Sequence, residues 1–192
     1  WLVPSTAILE QTIAHLRDPQ DPYRQQINFD FGARVEVYDG TQALNGQALS
    51  PSSVRENLSI FVLAYDSLRI TRKEDRKIYQ ENGNLAPFVA HYTDRDALVP
   101  NVDETALIQV INQLSPVVIV DESHNAQSDL SVEMLHNLNP SFVLDLTATP
   151  KSNSNIISIV DARELKKENM VKLPVIIYNR RTKSDVLLDA LQ

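Results

Sequence analysis

The chain has no cysteine, which excludes disulfides and thiolate metal sites as sources of stability or chemistry. Glycine is scarce too. Only Gly32, Gly40, Gly46 and Gly83 occur, and none precedes a Lys-Ser or Lys-Thr pair, so these residues contain no glycine-rich phosphate loop. No apolar run approaches the roughly 18 residues that cross a bilayer, and no basic-then-apolar leader stands at the start. The expectation is a protein with no membrane contact, cytoplasmic in location. Bases are the minority charge, 18 against 25 acids for a net −7, which argues against a generally basic nucleic-acid surface while leaving room for a local basic groove.

What is there suits one domain with a sizeable core: 192 residues, with short β-branched apolar runs separated by helical or polar stretches. "WLV" (1–3) runs into "PSTAILEQTIAHL", where Pro4, Ser5 and Thr6 supply helix-start chemistry and Ile8, Leu9, Ile13 and Leu16 fall at helical spacing. "ARVEVYD" (33–39) alternates like a strand, a helix is expected after Pro51, and "SIFVLAYDSL" (59–68) reads as a strand with a polar end. Residues 69–103 are charged and weakly periodic, and read as a polar surface insertion. "DETALIQVINQL" (103–114) predicts a helix with Asp103 as its N-cap. The strand "PVVIVDE", the helix "SVEMLHNL" and the strand "SFVLDLTATP" follow, with a further strand centred on 173–177. Apolar strands alternating with helices predict an α/β fold: a mostly parallel sheet with helices on both faces, and a ligand site beyond the carboxyl ends of the strands.

The chemistry-bearing residues fall at those ends. "VVIVDESHNA" (117–126) drives a buried strand into Asp121 and Glu122. Two carboxylates there can divide the labour, one holding Mg²⁺ and the other orienting and deprotonating a water. Taken alone, the pair reads more simply as a strand end whose acids face water. "LDLTATP" (144–150) places Thr147 and Thr149 at the end of the following strand, one helix later, and a β-rich strand stopped by proline explains that stretch on its own. A hydrolase metal site built on Asp121, Glu122 and His124 lacks a second ligand cluster, because His15, His91 and His136 are scattered.

Taken together, these residues resemble the first motor domain of superfamily 2 helicases and translocases. "VDESH" resembles the Walker B or DEAD/DEAH motif and "TATP" the Ser/Thr-Ala-Thr motif. "VPSTAILEQT" (3–12) resembles motif Ia, with Pro4, Ser5, Ile8 and Gln11 in its spacing, and "FVLAYDSL" (61–68) stands where the family has a DNA-facing loop. The four occur in the family's order across residues 3 to 150. Within the superfamily the restriction (Res) subunit of type III restriction–modification enzymes is the nearest likeness, through "INQLSPVVIVDESHNAQSD" and "ARELKKENMVKLPVIIY". Type I restriction motors and other DNA helicases are close relatives.

The resemblance implies a RecA-like fold, and an ATPase that uses ATP and Mg²⁺ to act on double-stranded DNA. Asp121 would hold Mg²⁺ and Glu122 would activate the water. His124, Thr147 and Thr149 would couple nucleotide state to domain movement. Ser5, Thr6, Gln11, Tyr65 and Ser67 would face nucleic acid, with helix capping an equal explanation for Ser5 and Thr6. Implied partners are a modification (methyltransferase) subunit and a second motor domain from the same longer chain. The chain departs from the family in lacking the phosphate loop, so the reading expects motor domain 1 over 1–160, incomplete on its N-terminal side and inactive alone, with 161–192 as a linker. The alternative is a degenerate motor fold that binds nucleic acid or protein without catalysis.

Overall fold

In the computed structural model, residues 1–46, 48–68, 76–122, 129–150 and 155–168 are described. The chain divides into two units, Trp1–Pro150 and Lys151–Gln192. The first is built on a five-stranded sheet in the order β2-β3-β1-β4-β5, with every pairing parallel. The strands are β1 Leu2–Val3, β2 Val35–Asp39, β3 Leu58–Ala64, β4 Val117–Asp121 and β5 Phe142–Leu146. All five expected strands of this unit are present. The strand expected around 173–177 lies outside the described residues.

Parallel strands need crossovers, and the helices between them cover both faces of the sheet. Alternation along each strand assigns neighbours to opposite faces. Val3, Val37 and Val62 pack with Ile13 and Leu16 of α1 (Thr6–Arg17). Leu2, Tyr38, Leu63 and Val120 face the larger core, shared with Leu107, Ile108 and Ile111 of α7 (Leu107–Gln113) and with Met134 and Leu138 of α8 (Asp129–Leu138). The remaining helices of this unit are α2 Pro22–Asp30, α3 Gly40–Asn45, α4 Ser53–Glu56, α5 Tyr65–Leu68 and α6 Ala86–Val89.

Local chemistry sets the helix ends. Ser5 caps α1, its Oγ accepting the Ile8 N–H at 3.4 Å. Asp39 caps α3, accepting the Gln42 N–H at 2.8 Å. Gly46 ends α3 in the left-handed region at φ 64°, where a Cβ would also lie 3.1 Å from Asn84 Cβ. α2 begins at Pro22 behind the Asp21 cap, and the sequence reading placed no element there.

Two expectations need correction. α7 starts at Leu107 rather than at Asp103. Asp103 instead accepts the Thr105 N–H at 2.8 Å and the Thr105 hydroxyl at 2.6 Å, and that local turn satisfies its carboxylate before the helix begins. The second correction concerns 69–103. Its described part is not a surface excursion, because Ile78, Tyr79, Leu85, Phe88 and Val99 are all buried in the larger core. Ile78 and Tyr79 sit on the 3₁₀ turn Lys77–Tyr79, Leu85 on the 3₁₀ turn Gly83–Leu85 and Phe88 on the four-residue α6, elements too short for a periodic signal.

Buried amides fasten this stretch to the core. Gln109, 1% exposed, accepts the Val99 N–H at 2.9 Å and donates to the carbonyls of Val99 and Val102 at 3.0 and 3.1 Å. Asn112 donates to the carbonyls of Ala97 and Asn137 at 2.9 and 3.1 Å, which ties the stretch to α8 as well.

In the second unit, α9 (Ala162–Lys167) opens with a capping box in which Asp161 accepts the Glu164 N–H and Glu164 accepts the Asp161 N–H. Among the described residues no helix is long and apolar enough to cross a membrane.

Gln109→Ala leaves three backbone groups without this partner, the two of Val99 buried and the Val102 carbonyl partly so. It should lower unfolding free energy by about 3 kcal/mol, read from denaturant melts, with the loss traceable to 97–104 by hydrogen exchange.

Candidate nucleotide and nucleic-acid site at the strand ends

The register brings the expected residues to one edge. Val3 pairs with Ala64, Leu2 with Val120, and Asp121 with Leu146. Ser5, Tyr65, Glu122 and Thr147 therefore all sit just beyond the last paired residues of β1, β3, β4 and β5. This is the carboxyl edge, where open α/β sheets place ligands.

Adjacent acids on an extended strand point to opposite faces. Here the strand stops between them. Glu122 takes φ 51°, a left-handed conformation that costs a non-glycine residue about 1 kcal/mol and turns the chain at once. Strand alternation therefore does not separate the two carboxylates. Asp121 is half-buried and Glu122 exposed. Burial raises the Asp121 carboxyl above its ordinary value of 3.8, and the Glu122 charge raises it further, against the Glu122 N–H that favours the ionised form. A hard divalent cation would relieve both burdens, and a carboxylate on a partly dry strand end fits one. Among the described residues no group of three or more metal-ligating side chains is gathered, so Asp121 is offered as a single protein ligand.

The other expected residues fall out unevenly. Ser5 spends its hydroxyl on capping, while Ser5 and Thr6 both stay exposed at the start of α1. Gln11 is exposed further along the same helix. Thr147 Oγ1 accepts the Thr149 N–H at 3.2 Å, so the two threonines form a local turn in which Thr149 is exposed. His124 lies outside the described residues. Ser67 turns inward and donates to the Ala64 carbonyl at 2.6 Å. Tyr65 departs furthest from expectation. It is 1% exposed rather than presented to a ligand, and its hydroxyl donates to the Asp121 carbonyl. A tyrosine in an apolar run packs its ring, and only the hydroxyl needs a polar partner.

Sequence reasoning missed a second feature of this edge. An open cavity of about 780 Å³ lies beyond β2 and β3, lined by Ile13 and Arg17 of α1, Asp39 and Gly40, Ser67, and Arg76. Arg17 is fixed there, donating to the Val37 carbonyl at 3.0 Å and to Asp39 at 3.4 Å. Arg76 and Lys77 both border the cavity. The Asp-Gly pair ending "ARVEVYD" at 39–40 was the available signal.

Five parallel strands with interleaved helices, and an acid pair beyond a buried strand, define a RecA-like α/β domain of the superfamily 2 motor type. The family described as Type III restriction enzyme, res subunit, matches residues 1–152. The chain belongs to that family, and its first unit is a helicase-like motor domain. No curated protein matches the chain.

Because the folded state binds the Asp121 proton more tightly than the unfolded chain does, that carboxyl favours folding at low pH. The advantage is lost as pH rises through its raised value. In metal-free buffer Asp121→Asn should therefore be at least as stable as wild type at pH 7, with the difference shrinking as pH falls toward 3.8, measured by thermal melts across that window.

Proposed function

We propose that this domain is part of an ATP-dependent translocase or helicase motor of a type III restriction endonuclease, acting on double-stranded DNA. The observation that carries the reading is the acid pair at the carboxyl end of β4, with Glu122 turned out of the strand at φ 51°. Asp121 would hold Mg²⁺, which when bound would supply charge stabilisation to a nucleotide's phosphates. Glu122, exposed and one residue on, orients the attacking water and takes its proton. The exposed start of α1, with Ser5 and Thr6, offers backbone N–H groups and hydroxyls to a DNA phosphate, with Gln11 further along the helix and Ser67 after β3 as additional contacts. Thr147, Thr149 and His124 relay nucleotide state to a second motor domain of the longer chain, and a modification subunit supplies DNA recognition.

The phosphate-gripping loop has to come from residues beyond these 192. Among the described residues β5 is an edge strand, and Phe142 and Leu146 on it are 50% and 40% exposed, so a further strand has room to pair there. The competing reading, a degenerate motor fold that binds nucleic acid or protein without catalysis, shares this geometry and predicts neither ATP binding nor turnover in the full-length protein.

In the full-length protein, Glu122→Gln should lower DNA-stimulated ATP turnover at least ~100-fold while ATP binding stays within a few-fold of wild type. Normal turnover in that variant removes Glu122 from the role.

A further inference from the structure

The central strand of the sheet is only two residues long, and the residue that stops it is a proline. Both backbone groups of Trp1 face β3: its nitrogen donates to the Phe61 carbonyl at 2.7 Å and its carbonyl accepts the Leu63 N–H at 2.9 Å. In a parallel ladder successive residues present their N–H and C=O to alternate sides. Leu2 therefore faces β4, where it pairs with Val120. That register points the N–H and C=O of Asp121 back toward β1. The next rung would run from the Asp121 carbonyl to the N–H of residue 4. Residue 4 is Pro4, which has no N–H to give.

The missing donor is replaced from the far side of β1. Tyr65 is the first residue after β3, and its buried hydroxyl donates to that same Asp121 carbonyl. The phenol thus bridges the ends of β3 and β4 across the short strand between them. A buried carbonyl without a partner would be unfavourable, so the proline creates a need that the tyrosine meets.

We propose that Tyr65 is a positioning residue for the acid pair. Its hydroxyl fixes the peptide between Asp121 and Glu122, and so ties the carboxylates to the β3 end, whose following helix carries Ser67 at the cavity. The tie is a mechanical link between the β3 side of the edge and the Asp121–Glu122 turn. Its effect on turnover rests on the motor reading above, whereas its effect on the backbone does not.

The test uses the full-length protein and three variants. Tyr65→Phe keeps the ring and removes only the hydroxyl. Hydrogen exchange at the Glu122 amide should rise about tenfold, and DNA-stimulated ATP turnover should fall about tenfold with KM for ATP unchanged within threefold. Pro4→Ala restores an N–H at the vacant rung. The double variant Pro4→Ala/Tyr65→Phe should recover both amide protection and turnover to within about threefold of wild type.

Unchanged exchange at Glu122 in Tyr65→Phe overturns the proposal. So does a double variant no better than Tyr65→Phe, because a tyrosine needed only for packing gains nothing from a backbone N–H at position 4. If Tyr65→Phe fails to fold, recovery of the fold in the double variant supports the tie and continued failure overturns it. Absence of ATP turnover in the wild-type protein counts against the motor reading, while exchange and rescue still decide the tie.

Discussion

Everything at the carboxyl edge depends on how soon β1 stops. Leu2 and Val3 pair with β3 and Leu2 alone pairs with β4, and Pro4 then removes the donor that would continue the ladder on the β4 side. The chain can therefore leave the sheet immediately, and Ser5 takes the extended conformation that caps α1. A longer central strand would bury the ground in front of Asp121 beneath backbone. The short strand instead ends between the start of α1 and the Asp121–Glu122 turn. The buried hydroxyl of Tyr65 reaches past it to the Asp121 carbonyl.

The sheet was readable because burial on both faces forces apolar strands. "VVIVD" and "FVLDL" could hardly be anything else once helices separated them. Strand-end chemistry was readable for the same reason, since a core strand has little cause to run into paired acids. What stayed hidden depended on contacts between distant residues. The apolar residues of 76–104 lie on short turns and loops, the 97–102 part held by Gln109 and Asn112, and no periodicity announces such an arrangement. Asp103 satisfies itself in a local turn as readily as it would cap a helix, and sequence alone does not choose between the two. Tyr65 had the composition of a surface contact and the environment of a core residue. Only the register of three strands reveals the proton donor it replaces.

The same register gives the edge two working regions. On the β4 side stand the half-buried Asp121 and the exposed Glu122, whose neighbouring charges favour a cation. On the β2–β3 side stands a cavity with an apolar floor, the anchored Arg17, and Arg76 and Lys77 at its border. The chain as a whole is acidic at net −7, so a basic group at this edge works against the overall field and acts only at short range. Nucleic acid held there would need several such local contacts, along with the start of α1, rather than attraction from a distance.

The central claim is that this fold belongs to a working motor. Its most direct test is ATP turnover by the full-length protein in Mg²⁺ buffer, measured with and without duplex DNA. Mg²⁺-dependent turnover that rises several-fold when duplex DNA is added is the expected result. Absence of turnover under both conditions, with the protein folded, would contradict it.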